Sequence, residues 1–261
     1  MNEKVSRRTL LGGGLALAGG LLLGEAATAA RKPEHKANKR RVVVWSEGTA
    51  PKNIYPEDVN TAIAEGLKPL KGWEVLTANI NQPEQGLPDD LLNETTVLIW
   101  WGHQRHDDVK DELVSRIGAR VKAGNMGFIA THSAHYSKAL KAILGTPCGW
   151  NGYINDGSKL EIVVKDPKHP IAKGVKGFIV PHTERYGDPF QCPPPEDFIF
   201  DGIYTLPNGT TEHAQQGLTW TIGKGKVFYF QPGHEEFPIY FQEEIRQIFR
   251  NGVQWAAPKK A

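Results

Sequence analysis

Two stretches decide the fold, VLIWWGHQRHDDV at residues 97–109 and GFIATHSAHYS at residues 127–137, with a helix-like segment between them. Each begins as an apolar run of strand length and ends in a pair of histidines spaced H-x-x-H. These histidines are His103, His106, His132 and His135. A strand, a polar loop and a helix are half of a βαβ unit, and ligands bind beyond the carboxyl ends of parallel strands. The sequence therefore predicts four imidazoles at one edge of a sheet.

Strand-like and helix-like segments alternate outward from these two runs. Short β-branched or aromatic runs predict strands, and apolar positions three or four apart predict helices. In chain order we expect strands at 41–45, 73–77, 95–101, 127–130, 161–164, 197–204, 218–222 and 226–230, and helices at 55–70, 107–124, 131–144 and 242–255. This pattern indicates an α/β fold with a mostly parallel sheet, helices on both faces and a β-rich C-terminal portion.

The N-terminal residues 1–29 are predicted to be an export signal. Residues 6–11 (SRRTLL) look like a twin-arginine (Tat) signal, and residues 27–29 (ATA) fit an A-x-A cleavage site. The apolar stretch 9–23 has about 15 residues, fewer than the ~20 of a spanning helix, and an uncleaved membrane anchor is the alternative. We expect a periplasmic protein, or one otherwise exported through the Tat route, which commonly carries folded proteins with a cofactor in place.

After the signal we expect a basic tether at residues 30–40 and a single domain at residues 41–258. About 230 residues are enough for one domain with a sizeable core. The net charge of +2 gives no electrostatic reason to expect binding to nucleic acid or to a membrane surface. Cys148 and Cys192 could pair in an oxidising compartment, but their spacing does not show whether they meet.

Polar side chains recur where predicted strands end. Besides the four histidines, they are Glu47, His182, Glu184, His234 and Glu235. Imidazole and carboxylate groups are ligands of zinc and related divalent ions. One H-x-x-H pair is a weak signal, because a lone histidine is more often structural. The recurrence at strand ends is what predicts a shared site.

Several familiar chemistries are absent from the sequence. It has no G-x-S-x-G, no P-loop and no G-x-G-x-x-G after a strand. The sharp strand-to-helix turn at residues 129–134, where a nucleophile elbow carries Ser or Cys, has His132 instead. This argues against covalent catalysis by a serine.

With these motifs in place, the chain resembles the ThuA family, the trehalose utilisation proteins. The matching stretches are 98–107, 127–137, 166–171, 182–190, 225–235 and 251–258. The resemblance covers residues 41–258 and implies a flavodoxin-like, class I glutamine amidotransferase-like fold. The amidotransferase cysteine is missing, so glutaminase chemistry is not implied. The family is associated with disaccharide breakdown through 3-keto-sugars.

This resemblance suggests a metal-assisted reaction of a small carbohydrate. A 3-keto group acidifies the C2 proton, so an enzyme needs a base near C2 and an electrophile at the ketone oxygen. As metal ligands we expect His103, His132, His182 and His234, with zinc first among the divalent transition metals. As acid/base groups we expect Glu47, His135, Glu184 and Glu235. As substrate contacts we expect Trp101, Arg105, His106, Tyr136 and Tyr186.

Two other functions stay open on the sequence. The chain could be a non-catalytic sugar-binding or accessory protein with a structural metal. It could also be a metal-assisted hydrolase of an ordinary glycoside or ester, which would need no 3-keto group. The choice between isomerisation and elimination, the identity of the sugar and self-association into a homo-oligomer are equally open.

Overall fold

The computed structural model describes residues 40–259, within which eleven strands and five α-helices are found. The strands are β1 (Arg40–Ser46), β2 (Trp73–Asn79), β3 (Val97–Trp101), β4 (Gly127–Thr131), β5 (Tyr153–Ile154), β6 (Lys159–Val164), β7 (Phe178–Val180), β8 (Arg185–Tyr186), β9 (Asp197–Thr205), β10 (Thr211–Ile222) and β11 (Gly225–Phe230). The α-helices are α1 (Val59–Leu67), α2 (Asp89–Glu94), α3 (Asp111–Lys122), α4 (Lys138–Leu144) and α5 (Glu243–Ala256). The predicted export signal and residues 30–39 of the predicted tether lie outside the described residues.

One nine-stranded sheet organises the structure, in the order β2-β1-β3-β4-β11-β10-β9-β6-β7. The first five strands of this order are parallel to one another. The other four continue the sheet by antiparallel pairing, beginning with the predicted β10–β11 hairpin. The α/β fold class is confirmed, and the β-rich C-terminal portion is an antiparallel extension of the same sheet.

Helices cover both faces of the parallel strands. Every residue of β3 and β4 is buried, as expected for strands packed on two sides. On one face, Ile63 of α1 and Phe249 of α5 join the hydrophobic core. On the other face, Ile117 of α3 and Leu140 of α4 do the same. Each such side chain contributes about 1.5–3 kcal/mol when fully buried, so the two helix layers fix the strand ends rigidly.

The helices that follow β3 and β4 begin later than the sequence predicts. Short 3-10 turns, His106–Asp108 and His132–Tyr136, come first, and α3 and α4 start only at Asp111 and Lys138. Ser137 caps α4, because its Oγ accepts a hydrogen bond from the Leu140 N–H at 3.2 Å. The predicted site histidines therefore lie in tight turns rather than on regular helices.

Membrane spanning and disulfide pairing were both left open by the sequence. Among residues 40–259, no helix combines the length and the apolarity needed to span a bilayer. Both cysteines are free thiols, Cys148 in the core and Cys192 half-buried.

Candidate metal centre

A cavity of about 460 Å³ adjoins the turns that follow β3 and β4. This volume lies in the range of small-molecule sites. Its polar lining comes from His103, His106, Ser133, His135 and Glu184. Its aromatic lining comes from Tyr136, Trp150, Tyr153 and Tyr186. The predicted convergence of side chains at the carboxyl ends of parallel strands is confirmed for the two central stretches.

Three buried side chains, His132, Glu184 and His234, form the first candidate ligand group. One potential ligand atom from each lies within 4.8 Å of the others. His132 Nε2 is 3.1 Å from Glu184 Oε2, and His132 Nδ1 is 3.0 Å from the Gln231 carbonyl oxygen. A carbonyl only accepts, so Nδ1 carries a proton, and Nε2 is the nitrogen that would bind a metal. This is the arrangement by which proteins orient a metal-binding histidine.

The backbone at His132 is in the left-handed region, with φ of 53°. This conformation is uncommon for a residue with a side chain and persists only where the surroundings enforce it. Here the Tyr229 hydroxyl donates to the His132 carbonyl oxygen at 3.0 Å, and the Gln231 carbonyl holds the ring. The fold thus keeps this imidazole in place at the end of β4.

A second candidate group consists of His103, His234 and Glu235. His103 Nδ1 lies 2.5 Å from Glu235 Oε1. Burial raises the pKa of Glu235, but the hydrogen bond and the charge of His103 outweigh burial and lower that pKa to about 2. The pKa of His103 is lowered by burial and raised more strongly by Glu235, so it rises overall. Glu235 is therefore ionised, and the proton resides on His103 Nδ1.

His234 is common to both groups. Its Nδ1 accepts a hydrogen bond from the Glu236 N–H at 3.2 Å. The Oε2 atoms of Glu235 and Glu236 lie 3.7 and 3.8 Å from the same nitrogen. Burial, followed by the nearby His132, lowers the pKa of His234. A neutral imidazole at this position is suited to bind a cation.

Two carboxylate oxygens of these groups have no hydrogen-bond partner among the described residues. They are Glu184 Oε2, which faces His132 without hydrogen-bonding geometry, and Glu235 Oε2. Burial raises the pKa of Glu184, yet His132 outweighs it, and the pKa of Glu184 is lowered overall. A buried carboxylate oxygen without a partner is costly. A bound cation would satisfy both oxygens, so the donor set fits a divalent metal.

Four other predicted residues line the cavity. Burial lowers the pKa of His135 to about 3, and its Nδ1 donates to the His132 carbonyl at 3.1 Å. Burial, together with the charge of His103, lowers the pKa of His106 to about 4. Tyr136 is half-exposed, whereas the Tyr186 hydroxyl lies 2.8 Å from Ser133 Oγ and 3.1 Å from His132 Nε2. These residues surround the ligand space with neutral rings.

The structure contradicts the expected position of four residues. His182 is exposed, and its Nδ1 lies 3.2 Å from the Gly157 carbonyl, so it joins neither ligand group. Trp101 is fully buried, donates from Nε1 to the Gly233 carbonyl and does not line the cavity.

Arg105 and Glu47 are also outside the cavity lining. The Arg105 guanidinium is held by Asp108 and Asn81. Glu47 is fully buried behind the loop that carries His103, where its carboxylate accepts backbone hydrogen bonds. Neither side chain is placed to touch a substrate.

Trp150 and Tyr153 lie near predicted loops in the sequence but were not among the expected substrate contacts, although both line the cavity. They lie in a loop between Gly149 and Gly157 that contains the short strand β5. Trp150 stacks on Phe190, with ring centroids 4.4 Å apart. Two aromatic residues in a glycine-rich loop were the available sequence signal, but nothing in the spacing showed that this loop folds over the cavity.

This combination of fold and site defines a class of protein. The parallel strand order β2-β1-β3-β4-β11 is the flavodoxin-like doubly wound order, and His132 directly follows the carboxyl end of β4. The family model for ThuA, described as trehalose utilisation, matches residues 41–256. The chain belongs to the ThuA family, which links it to a carbohydrate-related role.

Solved structures with the same fold include other ThuA-like proteins. A ThuA-like protein of Bacteroides uniformis is 15% identical with a TM-score of 0.60, and the match covers 87% of this chain and 95% of that one. One of Parabacteroides merdae is 14% identical with a TM-score of 0.61, covering 85% and 92%. A cytoplasmic protein of Salmonella typhimurium is 16% identical with a TM-score of 0.57, covering 84% and 99%. Comparison with curated protein sequences gave no match.

Proposed function

We propose that this protein is a carbohydrate-processing enzyme that uses a divalent transition metal to isomerise or cleave 3-keto-sugars. The observation that carries the proposal is the buried group His132, Glu184 and His234, with the His103–Glu235 pair beside it and a cavity in front. Two imidazoles and one carboxylate form the ligand set of a catalytic metal, which keeps positions open for substrate. Zinc is our first candidate for the ion.

Ligation requires a lone pair on each imidazole. His132 has one at Nε2, because its Nδ1 donates to the Gln231 carbonyl. In the structure His234 Nδ1 accepts from the Glu236 N–H, so His234 can present Nε2 only if its proton moves to Nδ1 and that hydrogen bond is lost; Nδ1–H would then face the carboxylates of Glu235 and Glu236. Glu184 offers the oxygen that has no partner. This set replaces the predicted ligand His182 with Glu184, a residue expected from the sequence to act as an acid or base.

His103 is then the candidate proton carrier. It lines the cavity, and the ionised Glu235 fixes its Nδ1–H, so Nε2 is the nitrogen that can exchange a proton with a substrate. In the proposed reaction the uncharged His103 takes the C2 proton of a 3-keto-sugar at Nε2, the electron pair of the broken C–H bond forms a C2–C3 double bond, and the π pair of the ketone moves onto its oxygen. The metal would stabilise the resulting enediolate as a Lewis acid. Delivery of a proton to the opposite face of C2, or to C3, gives an isomer, whereas expulsion of the C1 substituent, which takes up the proton from His103, breaks the glycosidic bond.

Metal content tests the ligand assignment. Elemental analysis of the purified wild type should show near-stoichiometric metal, and His132→Ala and Glu184→Ala should lose it. His182→Ala is the matched control, because it removes an exposed imidazole two residues from Glu184 and should keep the metal. If the wild-type protein purified from its native host contains no metal, the proposed metal-assisted reaction is wrong.

Turnover then separates the candidate functions. In D2O, a 3-keto-glucoside should exchange its C2 proton in the presence of the wild type and not of His103→Ala. Binding of sugar without exchange or turnover would favour an accessory protein with a structural metal. Turnover of an unoxidised glycoside or ester would favour a metal-assisted hydrolase instead.

We also propose export through the Tat route, on the basis of the signal-like residues 1–29. When the full-length gene is expressed in the native host, fractionation should find the protein in the periplasm. Replacing both arginines of the SRRTLL segment by lysine should retain it in the cytoplasm. A periplasmic product from that variant would refute the route.

A further inference from the structure

A buried carboxylate supports the loop that carries His103. Glu47, one residue after β1, is fully buried. Its Oε2 accepts hydrogen bonds from three consecutive backbone N–H groups, those of His103 at 2.8 Å, Gln104 at 2.7 Å and Arg105 at 2.9 Å. Hydrogen bonds to a charged acceptor are about twice as strong as neutral ones. One side chain thus binds the whole turn that leaves β3.

The loop is shaped to admit this carboxylate. A Cβ atom at Gly102 would lie 2.8 Å from Glu47 Oε1, so any larger residue would press on the carboxyl group. Oε1 lies 3.5 Å from His106 Nδ1, and neither atom has a hydrogen-bond partner among the described residues. Glu47 therefore lies between the backbone that holds His103 and the ring of His106, and both of these histidines line the cavity.

Glu47 has no route to a substrate. Its side chain is enclosed and is absent from the cavity lining. Its contacts are to the backbone of the residue whose imidazole pairs with Glu235. A displacement of about 1 Å at a reacting group can reduce turnover on the order of 100-fold. A group that fixes the backbone of His103 can therefore affect the reaction without touching the sugar.

We propose that Glu47 is a positioning residue, which holds the backbone of residues 103–105 so that the His103 imidazole stays between Glu235 and the cavity. This inference rests on the proposed role of His103 as proton carrier. It assigns Glu47 a different role from the acid/base function expected from the sequence. Burial raises the pKa of Glu47, and the three backbone donors that converge on its Oε2 counter part of that rise.

The test compares Glu47→Gln with the wild type as purified. The amide keeps the shape and one acceptor oxygen but loses the charge. We expect metal content to be unchanged, kcat on 3-keto-glucoside to fall on the order of 10- to 100-fold, and KM to stay the same. Gly102→Ala should act in the same direction, because its Cβ displaces the carboxylate. Asp58→Asn is the matched control, since Asp58 is a buried carboxylate that accepts from Ser46 and Ala50 instead of the loop.

A second readout does not depend on turnover. The short Nδ1–H bond from His103 to Glu235 should give a far-downfield proton resonance in NMR spectra of the wild type. Glu47→Gln and Gly102→Ala should shift or broaden this resonance, whereas Asp58→Asn should leave it unchanged. If Glu47→Gln keeps both the resonance and the wild-type kcat, the inference is wrong. If the wild type has no activity on keto-sugars, the proposed function is wrong. The positioning role of Glu47 is then tested by the proton resonance alone.

Discussion

The neutral imidazole of His135 should make the protein sensitive to acid. His135 is buried against Phe190, Tyr229 and Tyr186, and its pKa is lowered to about 3 by burial. In the unfolded chain, a histidine takes up its proton near pH 6.5. Between these two values the unfolded state binds more protons than the native state, so stability decreases as the pH falls.

The size of the effect follows from the two pKa values. At pH 5 the unfolded imidazole is almost fully protonated and the native one is neutral, so His135 costs about 2 kcal/mol relative to pH 7.5. His135→Asn removes the titrating group and keeps a donor for the His132 carbonyl. The variant loses some ring packing at every pH. Its free energy of unfolding should nevertheless fall by about 2 kcal/mol less than that of the wild type between pH 7.5 and pH 5.

Urea denaturation at pH 7.5 and at pH 5, with EDTA present, gives the stability that each protein loses in acid. The loss for His135→Asn is then compared with the loss for the wild type. His213→Asn serves as the control, because it removes an imidazole from the exposed first residues of β10. We expect the control to lose as much stability in acid as the wild type does. Equal losses for His135→Asn and the wild type would show that His135 is protonated in the native state and that its burial has been misjudged.

Three further predictions concern the metal and the core. Zinc at 100 times its Kd should stabilise the wild type by about 2.7 kcal/mol and raise Tm by about 5–11 °C; an equal rise in Glu184→Ala would contradict its role as a ligand. Gly233→Ala places a Cβ 1.9 Å from the Tyr240 hydroxyl at a φ of 149°. It should cost about 1–3 kcal/mol in urea denaturation and lower the metal content, since His234 follows directly; unchanged values would refute this. Trp45→Ala removes the partner of Trp100, stacked at 3.7 Å, and should cost about 3–5 kcal/mol by the same assay without changing metal per folded molecule; a loss under 1 kcal/mol would contradict it.

The fold was largely predictable because its signals are local. An apolar run such as 97–101 that ends in a polar turn specifies a strand and the sheet edge where it stops. The turn chemistry after it was not predictable. The 3-10 turns His106–Asp108 and His132–Tyr136 depend on tertiary contacts, such as the Tyr229 hydroxyl on the His132 carbonyl. The helix period alone therefore placed α3 and α4 too early.

The candidate site was predictable in location but not in the assignment of roles. A residue that follows a strand is placed at the edge, yet which way it turns depends on neighbours distant in sequence. His182 and Glu184 lie two residues apart, and only Glu184 reaches His132. Trp101 and His103 likewise leave the same strand, one into the core and one into the cavity wall. Spacing cannot resolve such choices, because both members of each pair are chemically plausible.

The site histidines are fixed by groups that do not themselves touch the cavity. The Gln231 carbonyl sets the tautomer of His132, and Glu235 sets that of His103. Such outer contacts preorganise a site before a ligand arrives. The arrangement also leaves two carboxylate oxygens buried without partners, which costs stability in the metal-free protein. A bound cation would contact these two oxygens and remove the cost of burying them without partners. We therefore expect metal affinity and folding stability to be strongly coupled in this protein.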